Sequence, residues 1–256
     1  MEAYAPGEAL NQYCWPDCAI NQRYLQDIAE LIAYIGAKFK HVQVLLSAWN
    51  SKTAWGTTAL NWPTAATNAL WKQVVTAVGQ HPHVWFGVAN EPESNYDGAQ
   101  DAQVWHAMNF AVAAIREQEA ALGMPAHIVA VQGTRGWARS LAYYMTHPIT
   151  AGQGLNVVYE THPYNIAADF QSLFINPAAS LPVIIGEFGP ATISDMTMAH
   201  AETLMQQCNA LGLPWLAWTL HMRCPPSLLQ DLSNNGCGIS MPLQLSDWGK
   251  LVKQYL

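Results

Sequence analysis

From residue 20 to the end of the chain, short apolar segments alternate with longer amphipathic ones, and this alternation limits the fold more than any other feature. Ile20 to Gly36 carries Tyr24, Ile28, Leu31, Ile32 and Ile35 at helical spacing and stops at a glycine. The spacing predicts further helices over 64–80, 101–122, 195–211 and 246–255. Between them lie strand-like runs at His41–Trp49, Val84–Ala89, His127–Gln132, Leu155–Glu160, Pro182–Glu187 and Pro214–Leu220. Short apolar strands separated by helices predict parallel βαβ units. No composition break or Pro- or Ser-rich linker interrupts the pattern, so residues 1–256 are expected to form a single domain.

Two parallel architectures compete. A doubly wound sheet would normally bring a glycine-rich phosphate loop after a strand, and no G-x-G-x-x-G is present. Instead, polar or acidic residues close several strands: Asn90-Glu91, Gln132, His162, Glu187 and His221. Functional groups at the C-terminal ends of many strands are the habit of a (β/α)8 barrel. The expected fold class is therefore α/β, a (β/α)8-type TIM barrel. About six β/α units are visible where a full barrel has eight, and residues 1–20 contain no convincing strand, so the barrel is expected to be N-terminally incomplete. Open edges at 42–48 and 214–220 would expose unpaired backbone groups, which points to a homo-oligomer.

Composition excludes some functions. Hydrophobic residues make up 51% and charged residues 11%, which suits a domain with many buried strands and not a disordered chain. A net charge of −7 offers no basic stripe to a phosphate backbone, so nucleic acid is excluded as a partner. No apolar run reaches membrane-spanning length, so no membrane association is expected. The five cysteines form neither a dense disulfide framework nor a Cys-x-x-Cys site. Cys14 with Cys18 and Cys224 with Cys237 are close enough in sequence to pair across loops. Free buried thiols are the equal alternative.

Two strand ends carry the chemistry. V-W-F-G-V-A-N-E-P-E places Asn90 and Glu91 where an apolar strand runs out, with Pro92 turning the chain from the sheet. P-V-I-I-G-E-F-G-P places Glu187 between glycines, which permit close approach of backbone or ligand. A carboxylate at the end of an apolar strand needs a partner or a task. Glycoside hydrolysis needs two: one to protonate the leaving oxygen, the other to attack the anomeric carbon or activate water. Between them lies V-V-Y-E-T-H-P-Y-N, where period-two alternation puts Glu160, His162 and Tyr164 on one face. A third group at the rim can set the charge state of a carboxylate. The last strand, P-W-L-A-W-T-L-H, brings Trp218 to the rim as a sugar-stacking candidate or a core residue.

N-E-P after one strand, H-P-Y after a later one, G-E-F-G after the next and a tryptophan on the last resemble glycoside hydrolase family 5 over roughly residues 20 to 256. The resemblance implies a retaining glycosidase on a (β/α)8 barrel. It makes Glu91 the general acid/base and Glu187 the nucleophile. Asn90 would hydrogen-bond the sugar 2-hydroxyl, Tyr164 would donate to Glu187, His162 would hold the charged network and Trp218 would support the sugar. The sequence departs from the family twice. The region that would bear the usual arginine after the second strand is absent. Where the third strand usually ends in histidine, L-L-S-A-W-N offers Ser47, Trp49 and Asn50.

The resulting expectation is a retaining endo-β-1,4-glucanase, cellulase-like and acting on β-glucan or a related polysaccharide by double displacement. A β-mannanase or other β-glucanase is the nearest alternative, and a catalytically weak carbohydrate-binding or transglycosylating protein the alternative of another class. No cofactor is implied. No H-E-x-x-H or carboxylate cluster suggests a catalytic metal. His81 and His83 precede a strand and read as a helix-to-strand turn, whereas His221 follows Trp218 at the functional face and is a candidate substrate contact. Trp49, Trp55, Trp62 and Trp137 lie in or near loops after strands and are candidate sugar platforms. No signal peptide is read at Met1-Glu2-Ala3-Tyr4. An extracellular location is the expectation, with a leader removed.

Overall fold

Six strands alternate with helices through the residues that the computed structural model describes, 22–48, 62–191, 194–222, 224–230 and 242–256. The chain divides after Tyr159 into two compact units. The break falls inside a strand, so that strand carries the chain from one unit into the next.

The first unit runs α1 (Gln22–Lys38), β1 (Val44–Ser47), α2 (Ala65–Val78), β2 (Val84–Gly87), α3 (Asp101–Ala121) and β3 (Val129–Gln132), and enters β4 (Val157–Thr161). The expected parallel pairing is present. Val44 to Ser47 pair in register with Val84 to Gly87, and Phe86 and Gly87 with Val129 and Ala130. Thr64 starts α2, because its hydroxyl accepts from the Ala66 and Thr67 amides while the Thr67 hydroxyl accepts from the Thr64 amide. Leu70, Trp71, Val74, Val75 and Val78 then recur at helical spacing and are buried. Trp71 meets Phe86 of β2 edge-on, at 5.7 Å between ring centroids.

Every strand but β5 is shorter than its apolar run in the sequence, and β5 is displaced by one residue, to Val183–Phe188. Apolar runs continue through the loops that leave a strand end, as at buried Val88 and Ala89 after β2. Before β4 the chain makes a 3-10 turn, Ala151–Gly154, with Gly152, Gln153, Gly154 and Asn156 all at positive φ. That turn consumes the start of the run expected from Leu155. His81 and His83 lie before β2, as expected of a turn. His83 Nε2 is 3.1 Å from the Ile32 carbonyl of α1, and a Cβ on Gly36 would come within 2.3 Å of the His83 ring.

The second unit takes β4 onward through helical turns at Ala167–Asp169 and Gln171–Ile175 into the short α4 (Asn176–Ala178), then β5 (Val183–Phe188), α5 (Met198–Leu211), β6 (Trp215–Ala217) and α6 (Asp247–Lys253). Thr197 caps α5, and Gly212 closes it in the left-handed conformation at φ 68°. Phe188 is fully buried between Trp215 and Trp248, both edge-on at under 6 Å. β5 pairs parallel with β6, but Ile185 faces Trp215 while Phe188 faces Ala217. Three steps on β5 against two on β6 leave one extra residue, a bulge at Gly186-Glu187.

Candidate active site

Asn90 and Glu91 belong to the first unit, and His162, Tyr164, Glu187, Trp218 and His221 to the second. In the first, Glu91 leaves β2 at φ 47°, followed by Ser94 at 65° and Asn95 at 56°. Non-glycine residues rarely occupy this left-handed region, at a cost of about 1–3 kcal/mol each, and they cluster where function holds them. Several contacts hold this segment. The Glu91 amide donates to the side-chain oxygen of Gln132, the fully buried last residue of β3. The Pro92 carbonyl accepts from the Trp137 amide, and the Ser94 carbonyl from the Gly136 amide. Asn95 Nδ2 donates to Asp101 Oδ1 and to the Thr134 carbonyl, each at 2.8 Å.

Asp101 opens α3 and is buried. Its carboxylate also accepts from the Thr134 hydroxyl at 2.8 Å and from Arg135 Nη2 at 2.7 Å. Burial alone would raise its pKa. The hydrogen bonds from Arg135, Thr134 and Asn95, together with the Arg135 charge, outweigh it and hold the carboxyl below the ordinary range. The loops after β2 and β3 are thus tied together from below. Asn90 precedes Glu91 and is half-buried.

In the second unit Glu187 sits on the bulge of β5. Tyr164 donates its phenolic hydrogen to Glu187 Oε1 at 2.7 Å, and His162 Nδ1 lies 3.7 Å from Glu187 Oε2. His162 Nε2 lies 3.0 Å from Glu160 Oε1. Period-two alternation placed Glu160, His162 and Tyr164 on one strand face, and this needs correcting. β4 ends at Thr161, and the Tyr164 amide bonds the His162 carbonyl in a tight turn. The tyrosine reaches Glu187 because the chain has left the strand.

Trp218 follows β6 and is half-buried. Its amide donates to the Phe188 carbonyl at 2.9 Å, and its own carbonyl accepts from Trp248 Nε1 at 2.8 Å. These two bonds fix the backbone of Trp218 beside that of β5. His221 is half-buried, and its amide donates to Thr219 in its own turn. Cys208 is buried, and burial pushes its thiol up to about 12. Cys224 is also free, while Cys14, Cys18 and Cys237 lie outside the described residues. Trp49, Asn50 and Trp55 lie outside them as well. No described helix is long and apolar enough to cross a membrane.

Two groups at the site were not singled out as functional from the sequence. In the sequence Gln132 is only a polar strand end and Asp101 only the start of a helix. The short distance from the N-E-P turn to an Asp opening a helix was the available signal. Nothing in the sequence paired either with the residue it touches.

No curated protein matches the chain. Among solved structures, the endoglucanase catalytic domain from Thermobifida fusca aligns at TM-score 0.69 and 15% identity, over 95% of this chain and 79% of its own. A β-mannanase from Streptomyces thermolilacinus, solved with mannohexaose, aligns at TM-score 0.64 and 21% identity, over 88% and 72%. The catalytic domain of the major endoglucanase from Xanthomonas campestris pv. campestris aligns at 0.64 and 20%, over 81% and 69%. At these identities the likeness establishes the fold. It is the expected α/β class in its (β/α)8-type form, with six strands among the described residues. The sequence carries the family itself: the model of the cellulase family matches residues 7–223, and the chain belongs to glycosyl hydrolase family 5.

Proposed function

We propose that the chain is a retaining endo-β-1,4-glucanase whose single catalytic domain spans residues 1–256. The observation that carries this reading is the environment of Glu187. A strand-end carboxylate is aimed by a bulge, takes a phenolic hydrogen bond on one oxygen and faces an imidazole on the other. A hydrogen bond to its charged form keeps a carboxylate ionised, which a nucleophile requires. Glu187 attacks the anomeric carbon while Glu91 protonates the departing glycosidic oxygen. Glu91 then takes a proton from water, which displaces Glu187 and leaves the product in its original configuration. Asn90 contacts the sugar 2-hydroxyl, and Trp218 and His221 line the sugar site.

Glucan is favoured by the endoglucanase likenesses. The mannohexaose-bound relative makes β-mannan the second reading. Assays on cellulose, mixed-linkage glucan, mannan and xylan separate the two, and product sizes separate endo from exo action. Glu187→Ala tests the mechanism. Hydrolysis is expected to vanish with the fold intact, and azide with an activated aryl glycoside should yield the inverted glycosyl azide. Near wild-type hydrolysis by that variant, or an initial α-anomer in proton NMR of wild-type product, would overturn the reading.

A further inference from the structure

Glu160 is a buried carboxylate to which the double-displacement chemistry assigns no task. It is 3% exposed, beside Thr161 at 0% and His162 at 2%. Its Oε1 lies 3.0 Å from His162 Nε2. Its Oε2 has no hydrogen-bond partner among the described residues. The carboxylate is also pressed against β5, since a Cβ on Gly186 would come within 1.9 Å of Glu160 Oε1. A glycine immediately before Glu187 therefore makes room for a second carboxylate behind the histidine. Burying an ionised carboxylate with half its acceptor capacity unused is costly unless a cation is held against it.

We infer that Glu160 is a positioning residue that holds His162 as a doubly protonated ring, with Nε2–H on Glu160 and Nδ1–H directed at Glu187. The inference rests on Glu187 being the nucleophile. Carboxylate oxygens face both ring nitrogens, at 3.0 Å and 3.7 Å, which favours a proton on each. The result is a fixed positive charge beside the nucleophile, compensated from behind by Glu160. Such a charge matters most when Glu187 must leave. In the second step the bond from the anomeric carbon to Glu187 breaks and the carboxylate recovers its negative charge. A neighbouring cation stabilises that developing charge. In the first step the same cation stabilises the attacking carboxylate before it attacks, so it gives that step little help.

The test is Glu160→Gln, an isosteric change that removes the charge and keeps an acceptor near Nε2. On an activated aryl β-cellobioside, kcat is expected to fall about 10- to 100-fold, the loss that follows from removing one charge-assisted interaction with the departing carboxylate. KM should fall in parallel and kcat/KM stay near wild type, because slowed deglycosylation lets the glycosyl-enzyme accumulate. Intact mass spectrometry should show that adduct on Glu187 at steady state. Nitrogen NMR of the His162 ring should change from two protonated nitrogens to one. Gly186→Ala, which pushes Glu160 off His162 without changing the charge count, should reproduce the kinetic split. Wild-type kinetics in Glu160→Gln, a fall in kcat/KM at unchanged KM, or a ring with one proton in the wild-type protein would overturn the inference. A fluorinated activated cellobioside on the wild-type protein separates this from failure of the parent reading. If it leaves no adduct on Glu187, the nucleophile is misassigned. If the adduct forms and Glu160→Gln behaves as wild type, only the role of Glu160 falls.

Discussion

Tyr164 donates a hydrogen bond of 2.7 Å to Glu187 from beyond the end of β4, across to the bulge of β5. The phenol prefers the ionised carboxylate, so its removal weakens a charge-assisted bond of about 1.5–3 kcal/mol. Tyr164→Phe is expected to lower kcat/KM by about 10- to 100-fold, following from that energy. The melting temperature should change little, since Tyr164 is half-buried at the rim and the ring remains. An undiminished kcat/KM would show that this bond does not support the nucleophile.

For Glu91 the expected signature is selectivity among leaving groups. If Glu91 is the proposed proton donor, Glu91→Ala should cost glycosides with poor leaving groups about 100-fold or more, and activated aryl glycosides far less. Gln132→Leu leaves the carboxyl in place but removes the acceptor of the Glu91 amide. It should show the same selectivity in weaker form, because a left-handed Glu91 loses one of the contacts that hold it. Comparing kcat/KM across a series of aryl leaving groups checks both. A uniform loss for all leaving groups would mean that Gln132 supports folding and not the acid.

Glu91 and Glu187 stand out in the sequence because each closes an apolar run, where an acidic residue is conspicuous against the pattern. Tyr164 and His162 were legible as a short motif. Glu160 was visible only as the third member of a face. The structure shows that it lies behind His162, with Gly186 making the space. Strand–helix order survived while strand ends did not, because apolar residues continue into loops wherever the loops are buried. Gly186 within an apolar run is the one residue type that hints at the bulge on β5, whereas the left-handed turn at Glu91 is a backbone event that a glutamate does not announce. Glu119 was unreadable for a different reason. It looked like one charge among several on α3, yet it is 2% exposed and accepts from His127 and Arg116.

Asp101 and Glu119 make stability sensitive to acid. For each, burial raises the pKa, but the hydrogen bonds and nearby Arg135 or Arg116 outweigh it and the folded carboxyl lies below its ordinary value. A depressed folded pKa contributes stability above the unfolded pKa, near pH ~4, and that contribution is lost as pH falls through the folded value. Denaturant unfolding from pH 7 to pH 3 should therefore show stability falling below pH ~4. Asp101→Asn should be less stable at pH 7 by about 1–2 kcal/mol, a modest figure because the Arg135 side chain is 38% exposed and screened. Its curve should be flatter in acid. An unchanged acid slope in this variant would show that Asp101 is not one of the linked groups.

Trp137 is a described loop tryptophan tied to the segment that carries Glu91. It is 38% exposed and stands at φ 61°, in a turn closed by the bridge between Arg135 and Ser140. Its amide is bonded to the carbonyl of Pro92, the residue after Glu91. If Glu91 is the proposed proton donor, a group tied to it should lie on the side of the departing sugar, where such a donor acts. An indole face stacks on the apolar face of a sugar ring, and aromatic contacts of this kind contribute about 0.5–1.5 kcal/mol. Trp137→Ala should therefore lower kcat/KM on a long oligosaccharide by about 3- to 10-fold. On a cellobiosyl fluoride, whose leaving group is a single atom, it should change little. Equal losses on both substrates would place Trp137 in support of the fold or of Glu91 itself. No loss on either would remove it from the substrate path.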